Sequence, residues 1–164
     1  MSICGSMLKV SPVHLTGILS KTASHQVNQM VPQHIVSILT KFATYQKAEP
    51  GSYLWKEGDT SNALVLVLDG KLESLKETEF PNHPFLTGIH KTGTIVGEDG
   101  FIDNLPRNTS VRTINSCSLL IMSRDNFEQL EQNHPAIATL ILKRLLDLVS
   151  NRLHHSQKRL AVMF

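Results

Sequence analysis

Apolar residues recur at helical spacing at both ends of the chain and in short runs between turn residues in its middle. Near the N-terminus, partial helical spacing between Val13 and Leu19 predicts one helix. Pro32 suits the first turn of a second helix, because its missing N–H has no helical partner there anyway, and apolar residues three and four positions apart continue to Phe42. We therefore predict a helical lead-in over residues 1–44.

Between residues 45 and 123 the pattern changes to short strand-like runs separated by turn residues, among them Pro50-Gly51 and Asp69-Gly70. Asp69-Gly70 lies between two apolar runs and predicts a β-hairpin with a type I′ turn. The predicted strands cover residues 53–55, 64–68, 71–75, 85–89, 110–113 and 118–122. Many short strands at regular spacing are typical of a β-sandwich, jelly roll or barrel.

Residues 124–164 return to a helical pattern. Ser123 is a candidate N-cap, and Pro135 can open a second, long helix. That helix carries two adjacent apolar stripes, which are Ala138, Leu142, Leu146, Val149 and Leu153 on one side and Ile137, Ile141, Leu145 and Leu148 on the other. This face is wider than one packing surface requires. We expect part of it to pack on the β-zone and the rest to cover a ligand or pair with a second chain, and we interpret the late basic residues, Arg152 among them, as the solvated face.

Composition narrows the function classes. The 164 residues are 41% hydrophobic and carry a net charge of +2, which indicates an ordinary globular domain rather than a nucleic-acid-binding protein. Cys4 and Cys117 form no CxxC pair, so they favour a reducing, cytoplasmic location over zinc or redox chemistry. No apolar run reaches the roughly 18 residues that a membrane-spanning helix needs. The histidines have no metal-ligand spacing, and we predict no metal site.

Residues 94–111 contain the most informative pattern. Gly97 and Gly100 bracket an acidic pair at a turn that enters a very short helix, so backbone N–H groups can approach an anion there. Arg107 follows, and its planar guanidinium matches phosphate geometry. Ionised Glu98 can accept hydrogen bonds from ribose hydroxyls. Within ten or so residues, these groups describe a sugar-phosphate site.

The spacing Gly-Glu-x-Gly followed by Pro-Arg-x-x-Ser-Val resembles the phosphate-binding cassette of cyclic nucleotide-binding domains. Such domains occur in protein kinase A regulatory subunits, cyclic-nucleotide-gated channels and the bacterial catabolite activator protein. Residues 50–59, the apolar run before Asp69-Gly70-Lys71 and the two C-terminal helices also resemble the family, in the family's order. The resemblance implies a mainly β fold with flanking helices, namely a double-stranded β-helix (a jelly-roll-like β-roll) with N-terminal helices and a long C-terminal helix.

The resemblance also implies residue roles. Glu98 would hold the ribose 2′-hydroxyl and Arg107 the cyclic phosphate, while backbone amides cradle the phosphate and the last helix closes over the ligand. The ligand-binding residues that it implies are Val96, Gly97, Glu98, Asp99, Gly100, Pro106, Arg107, Asn108 and Thr109. We expect Arg107 to face the surface, so that alanine at this position would leave the fold intact.

Two residues depart from the family pattern. Asp99 stands where the family usually has an apolar residue, and a carboxylate beside a phosphate weakens binding unless it is paired or points away. Asn108 matches neither the cAMP nor the cGMP pattern, so the sequence leaves the choice between these two ligands open.

The predicted function is that of a non-enzymatic regulatory domain that binds cAMP or cGMP, moves its C-terminal helix in response and needs no catalytic cofactor. We expect it to belong to a larger protein, such as a transporter or channel, and to form a homodimer through the last helix. The alternatives are a degenerate roll that docks or dimerises without nucleotide, the sensor half of a catabolite-activator-type regulator, and, more distantly, a cupin-like metal enzyme.

Overall fold

The computed structural model describes residues 33–80, 83–103 and 105–161. Its helices are α1 (Gln33–Phe42), α2 (Asp99–Asp103), α3 (Arg124–Asn133) and α4 (Pro135–Ala161). Its strands are β1 (Thr44–Ala48), β2 (Tyr53–Trp55), β3 (Ala63–Asp69), β4 (Lys71–Lys76), β5 (Phe85–Lys91), β6 (Ile95–Val96), β7 (Ser110–Thr113) and β8 (Cys117–Ser123). The predicted helix between Val13 and Leu19 lies outside the described residues.

The strands form two antiparallel four-stranded sheets, ordered β1-β8-β3-β6 and β2-β7-β4-β5. Along the chain, successive strands alternate between the two sheets, except that β4 and β5 pair as a hairpin within the second sheet. This alternation is the winding of a double-stranded β-helix, which confirms the predicted fold class.

The core between the sheets consists of apolar side chains that point inward from both of them. β3 supplies the most continuous buried run, because it lies inside its sheet between β8 and β6. The buried residues of this cluster are Leu54, Val65, Val67, Leu72, Val96, Val111, Cys117 and Leu119.

Asp69-Gly70 does not form the predicted hairpin. β3 pairs with β8 and β6, whereas β4 pairs with β5 and β7, so the chain crosses from one sheet to the other at this turn. Gly70 is still required, because its φ is +101° and a Cβ there would lie 2.6 Å from Cys117 Sγ. The turn signal was therefore correct, but the pairing was wrong, because a local Asp-Gly signal does not specify which strands become neighbours.

Two strands escaped the sequence pattern. β1 pairs along its whole length with β8, but it contains the polar residues Gln46 and Lys47 and therefore lacks the apolar run that predicts a strand. β6 has only two residues, which is too short for any periodicity to show. The other predicted strands are confirmed within about two residues at each end.

The helices build a second apolar cluster against one end of the roll. Ser123 caps α3 by accepting a hydrogen bond of 3.2 Å from the Asn126 N–H, and α4 begins at Pro135, both as predicted. The buried residues of this cluster are Leu39, Leu64, Phe101, Met122, Phe127, Leu130, Ala138 and Leu145. The second stripe of α4 thus packs inward, whereas Leu142, Leu146, Val149 and Leu153 of the first stripe remain exposed. No described helix is long and apolar enough to span a membrane.

Candidate functional site

The cassette begins where β6 ends at Gly97, whose φ is +89°. A Cβ at this glycine would lie 2.6 Å from Arg107 Nη1 and 2.9 Å from the Ala63 carbonyl oxygen. Helix α2 follows, and its Gly100 packs so closely on Ser61 that a Cβ would lie 2.4 Å from the serine side chain. Both glycines are therefore required by close approach, which brings the cassette backbone against β3 and the residues just before it.

Arg107 is buried rather than surface-facing, with 4% of its area exposed. It donates hydrogen bonds to the Gly97 carbonyl at 3.0 Å and to the Ala63 carbonyl at 2.7 Å. The guanidinium also stacks over the Trp55 ring, with its central carbon 3.9 Å from the ring centroid. The expectation that Arg107 faces the surface is wrong, because its side chain joins the cassette to β2 and β3.

The buried Arg107 cation has no carboxylate partner, since none of the ion pairs between described residues includes it. Its Nε–H is buried and has no hydrogen-bond partner. Burial lowers the pKa of the guanidinium, while the more distant charges of Asp99, Glu98 and Asp59 act in the opposite direction. A buried cation is normally paired, so this group lacks a counter-ion.

Glu98 is engaged by the last helix. Arg152 of α4 donates from Nη1 to Glu98 Oε1 and from Nη2 to the Ile95 carbonyl oxygen, at 2.7 Å in the second case. The Glu98 side chain keeps only 13% of its area exposed. The carboxylate that the sequence assigns to ribose is thus covered by a guanidinium that comes from 54 positions further along the chain.

His90 completes this cluster from β5. Burial, together with the Arg152 cation, lowers the pKa of His90 from 6.5 to about 4, so the ring is neutral at physiological pH. Its Nδ1 lies 3.5 Å from Arg152 Nη2 and its Nε2 lies 2.5 Å from Ser74 Oγ. Because the arginine can only donate, Nδ1 is the acceptor and Nε2 carries the proton towards Ser74.

The remaining predicted site residues are spread around this centre. Val96 is buried in the core between the sheets, and Pro106 is exposed. Asn108 turns towards β4, where Lys76 Nζ donates to its carbonyl oxygen at 2.9 Å and to its side-chain Oδ1 at 3.1 Å. The Thr109 carbonyl accepts from Trp55 Nε1 at 3.0 Å.

Asp99, the residue that departs from the family pattern, opens helix α2. Its Oδ1 accepts a hydrogen bond of 3.1 Å from the Gly100 N–H. This amide is one of those that the resemblance assigns to the phosphate, so the carboxylate lies where an anion would bind.

A sequence model of the cyclic nucleotide-binding domain matches residues 45–134. The chain belongs to the cyclic nucleotide-binding domain family. The match covers the whole β-roll with its cassette and extends through α3.

Solved structures of this family share the fold. A cyclic nucleotide-binding domain from Methylobacillus flagellatus KT superposes with a TM-score of 0.81 at 25% identity, covering 97% of this chain and 89% of that chain. The catabolite activator protein of Thermus thermophilus superposes with a TM-score of 0.68 at 21% identity, covering 85% of this chain and 63% of that chain. The regulatory domain of Toxoplasma gondii protein kinase A, solved with cAMP, superposes with a TM-score of 0.61 at 17% identity. The superposition covers 83% of this chain and 50% of that chain.

Curated relatives are much longer than this chain. Lysophospholipase nte1 of Aspergillus fumigatus is 29% identical over 133 residues, which are 78% of this chain and 8% of the relative. The corresponding protein of Aspergillus niger is 29% identical over 138 residues, or 80% of this chain and 9% of the relative. The chain therefore spans less than a tenth of the length of these relatives.

The sequence analysis missed three side chains of this cyclic nucleotide-binding domain that hold the cassette in place. Trp55 falls within the strand predicted over residues 53–55 and was assigned no role in the site, yet its ring stacks on Arg107 and its Nε1–H donates to the Thr109 carbonyl. The histidines were considered only as metal ligands, so the contacts of His90 with Ser74 and Arg152 were not expected. Arg152 was assigned to the solvated face, although it lies four residues after Leu148 and seven after Leu145, on the face that packs inward. A charged residue on that face was the available signal.

Proposed function

We propose that this domain binds cAMP or cGMP, with the cyclic phosphate on Arg107 and the ribose on Glu98, and that binding moves the C-terminal helix. The observation that carries the proposal is the buried Arg107 guanidinium, which is fixed in direction but lacks an anion. Two backbone carbonyls fix its orientation, and the unpartnered Nε–H remains as a donor. A phosphate supplies both the missing charge and the missing acceptor.

A ligand-free roll that serves for docking is the second candidate, and Asp99 is the observation that favours it. The Asp99 carboxylate already holds the Gly100 amide and would repel a phosphate at short range. Binding then requires the exposed Asp99 side chain to turn away from the Gly100 amide.

Titration calorimetry distinguishes the two candidates. We expect saturable binding of cAMP or cGMP and much weaker binding of 5′-AMP, whose phosphate does not close a ring on the ribose. Arg112→Gln is the matched control, because the Arg112 side chain pairs with Glu73 in the neighbouring strand and lies over the Tyr53 ring. If the folded protein binds no cyclic nucleotide and Asp99→Leu restores binding, Asp99 is what prevents nucleotide binding, as the second candidate requires.

We propose that the domain works as a regulatory segment of a larger cytoplasmic protein. This proposal is supported by the lengths of the curated relatives, because the chain matches less than a tenth of each of them. Those relatives are named as lysophospholipases. The larger protein that contains this domain is therefore a multidomain enzyme, a transporter or a channel. The buried free Cys117 is compatible with a reducing compartment.

We also propose that α4 pairs with a second copy of this chain through its exposed stripe. Leu142, Leu146, Val149 and Leu153 are spaced by four, three and four residues, which is the heptad spacing of a coiled-coil seam. Ser150 and Gln157, which border the stripe on one side, are uncharged, whereas Lys143 and Arg152 lie further round the helix. Leu146 is the most exposed of the four, at 69%.

Sedimentation equilibrium tests this pairing. We expect a dimer for the wild-type chain and a monomer for Leu146→Glu, since each dimer would bury two carboxylates in the seam. Asp147→Ala, one position away on the solvated side, should leave the dimer intact. A monomeric wild type at every concentration would contradict the proposal.

A further inference from the structure

Trp55 contacts both ends of the cassette from outside it. It is the last residue of β2, and it pairs with Val111 on β7, the strand that follows the cassette. At the far end of the cassette, its Nε1–H donates to the Thr109 carbonyl oxygen at 3.0 Å. At the near end, its Cη2 lies 3.2 Å from the place that a Cβ of Gly97 would occupy. One indole ring therefore packs against both ends of the segment that the proposed function assigns to the phosphate.

The same ring supports Arg107, which lies between these two ends in sequence. The central carbon of its guanidinium is 3.9 Å from the centroid of the indole, inside the range of about 6 Å of a cation–π contact. None of the ion pairs between described residues includes Arg107, so a neutral ring rather than a carboxylate supports this cation. The ring attracts a cation through its quadrupole and carries no net charge. A carboxylate would neutralise the guanidinium and compete with a phosphate for its donors, whereas the indole does neither.

The backbone contacts of Arg107 leave its guanidinium free to tilt. The carbonyls of Gly97 and Ala63 accept from Nη1 and Nη2 at 3.0 and 2.7 Å, which fixes two points of a planar group. The plane can still tilt about the line through those two atoms. A ring stacked against one face opposes this tilt, and it thereby sets the direction of the Nε–H, which is buried and has no partner.

We propose that Trp55 is a positioning residue of the phosphate site, which sets the plane of the Arg107 guanidinium and leaves its positive charge to the ligand. This inference rests on the proposed function, in which Arg107 receives the cyclic phosphate. Trp55 acts through Arg107 and the cassette backbone rather than on the nucleotide itself. Loss of the ring therefore weakens nucleotide binding although the charge of the site is unchanged.

Calorimetry on two variants separates the ring from its hydrogen bond. Trp55→Leu removes both, whereas Trp55→Phe keeps a ring against Arg107 and removes only the donor. We expect Trp55→Leu to bind cAMP or cGMP about three- to thirtyfold more weakly than the wild type, which is the range of a partly to fully desolvated cation–π contact. Trp55→Phe should recover most of this loss. Equal losses in the two variants would overturn the proposal, because the hydrogen bond would then account for the effect.

Tyr53→Leu is the matched control. Tyr53 lies on the same strand, and its ring centroid is 5.9 Å from the Arg112 guanidinium and 5.5 Å from the Lys56 ammonium. This variant removes an aromatic ring and its cation–π contacts, as Trp55→Leu does, but it leaves the stack on Arg107 in place. We expect it to bind nucleotide like the wild type. Wild-type affinity in Trp55→Leu, or an equal loss in Tyr53→Leu, would overturn the proposal.

The Nε–H resonance of Arg107 tests the stack in the ligand-free protein. The ring current of a stacked indole shifts this resonance in a ¹⁵N-labelled sample, so we expect it to move in Trp55→Leu and to stay in place in Tyr53→Leu. An unmoved resonance in Trp55→Leu would overturn the stack, and the proposal with it. The proposed function fails separately, if the wild type binds no nucleotide, whereas equal binding by the wild type and Trp55→Leu refutes only the role of Trp55.

Tryptophan fluorescence tests the role without any substitution, so it applies even if Trp55→Leu does not fold. Trp55 is the only tryptophan of the chain, and the tryptophan emission of the wild type comes from this ring alone. A phosphate that neutralises the cation against the ring changes the electric field across the indole. We therefore expect cAMP or cGMP to shift the emission, with the same midpoint as in calorimetry. Calorimetric binding without any change in tryptophan emission would overturn the proposal.

Discussion

Arg107→Ala is expected to lower the free energy of unfolding by about 2–4 kcal/mol, in addition to removing nucleotide binding. The change leaves the carbonyls of Gly97 and Ala63 without their donors in a buried place and removes the guanidinium that stacks on Trp55. The loss is partly offset, because the variant no longer buries a cation without a counter-ion. Urea unfolding followed by circular dichroism measures the difference.

Arg112→Ala is the matched control for stability. Arg112 is likewise an arginine, but it lies on β7, its side chain is 39% exposed and the side chain of its partner Glu73 is 19% exposed. An exposed ion pair of this kind contributes about 1 kcal/mol or less. Equal unfolding curves for the two variants would show that the buried hydrogen bonds of Arg107 do not stabilise the fold.

Gly97→Ala is expected to cost about 3 kcal/mol or more and to distort the cassette. The backbone of Gly97 has φ +89°, and a methyl group there would meet both the Arg107 guanidinium and the Ala63 carbonyl oxygen. Arg107 Nη1, the nearer atom, donates to the Gly97 carbonyl, and Nη2 donates to the Ala63 carbonyl, so the guanidinium moves away from a methyl group only by weakening the hydrogen bonds that fix it. Thermal unfolding and nucleotide titration of the same variant measure both effects.

Gly58→Ala isolates the contribution of crowding. Gly58 has a similar φ, +85°, but a Cβ there would meet no atom within 4 Å. Its substitution therefore carries only the cost of the left-handed backbone, about 1 kcal/mol. If Gly97→Ala and Gly58→Ala destabilise the domain equally, close packing at the cassette is not what requires the glycine.

The fold was predictable because its strands and turns are local signals. Apolar runs bounded by turn residues placed most strands, and Ser123 and Pro135 placed the starts of α3 and α4. Strand neighbours were not predictable in the same way. The sheet crossing at Asp69-Gly70 depends on which distant strands pair with β3 and β4, and a dipeptide contains no information about them.

The candidate site was predictable in its residues but not in their surroundings. The spacing of the cassette located Gly97, Glu98 and Arg107 together, because they lie within one short segment. The burial of Arg107 depends on Ala63, 44 positions away, and the cover on Glu98 depends on Arg152, 54 positions away. Contacts over such separations arise from tertiary packing, which local patterns do not encode.

The most direct test of the central claim observes the Arg107 side chain itself. In a ¹⁵N-labelled sample, the Nε–H resonance of Arg107 is identified by its loss in Arg107→Lys. Because this Nε–H has no partner in the ligand-free protein, we predict that saturating cAMP or cGMP shifts its resonance strongly, as the cyclic phosphate becomes its acceptor. A resonance that stays in place while the nucleotide binds would show that Arg107 does not receive the phosphate and would contradict this account of the site.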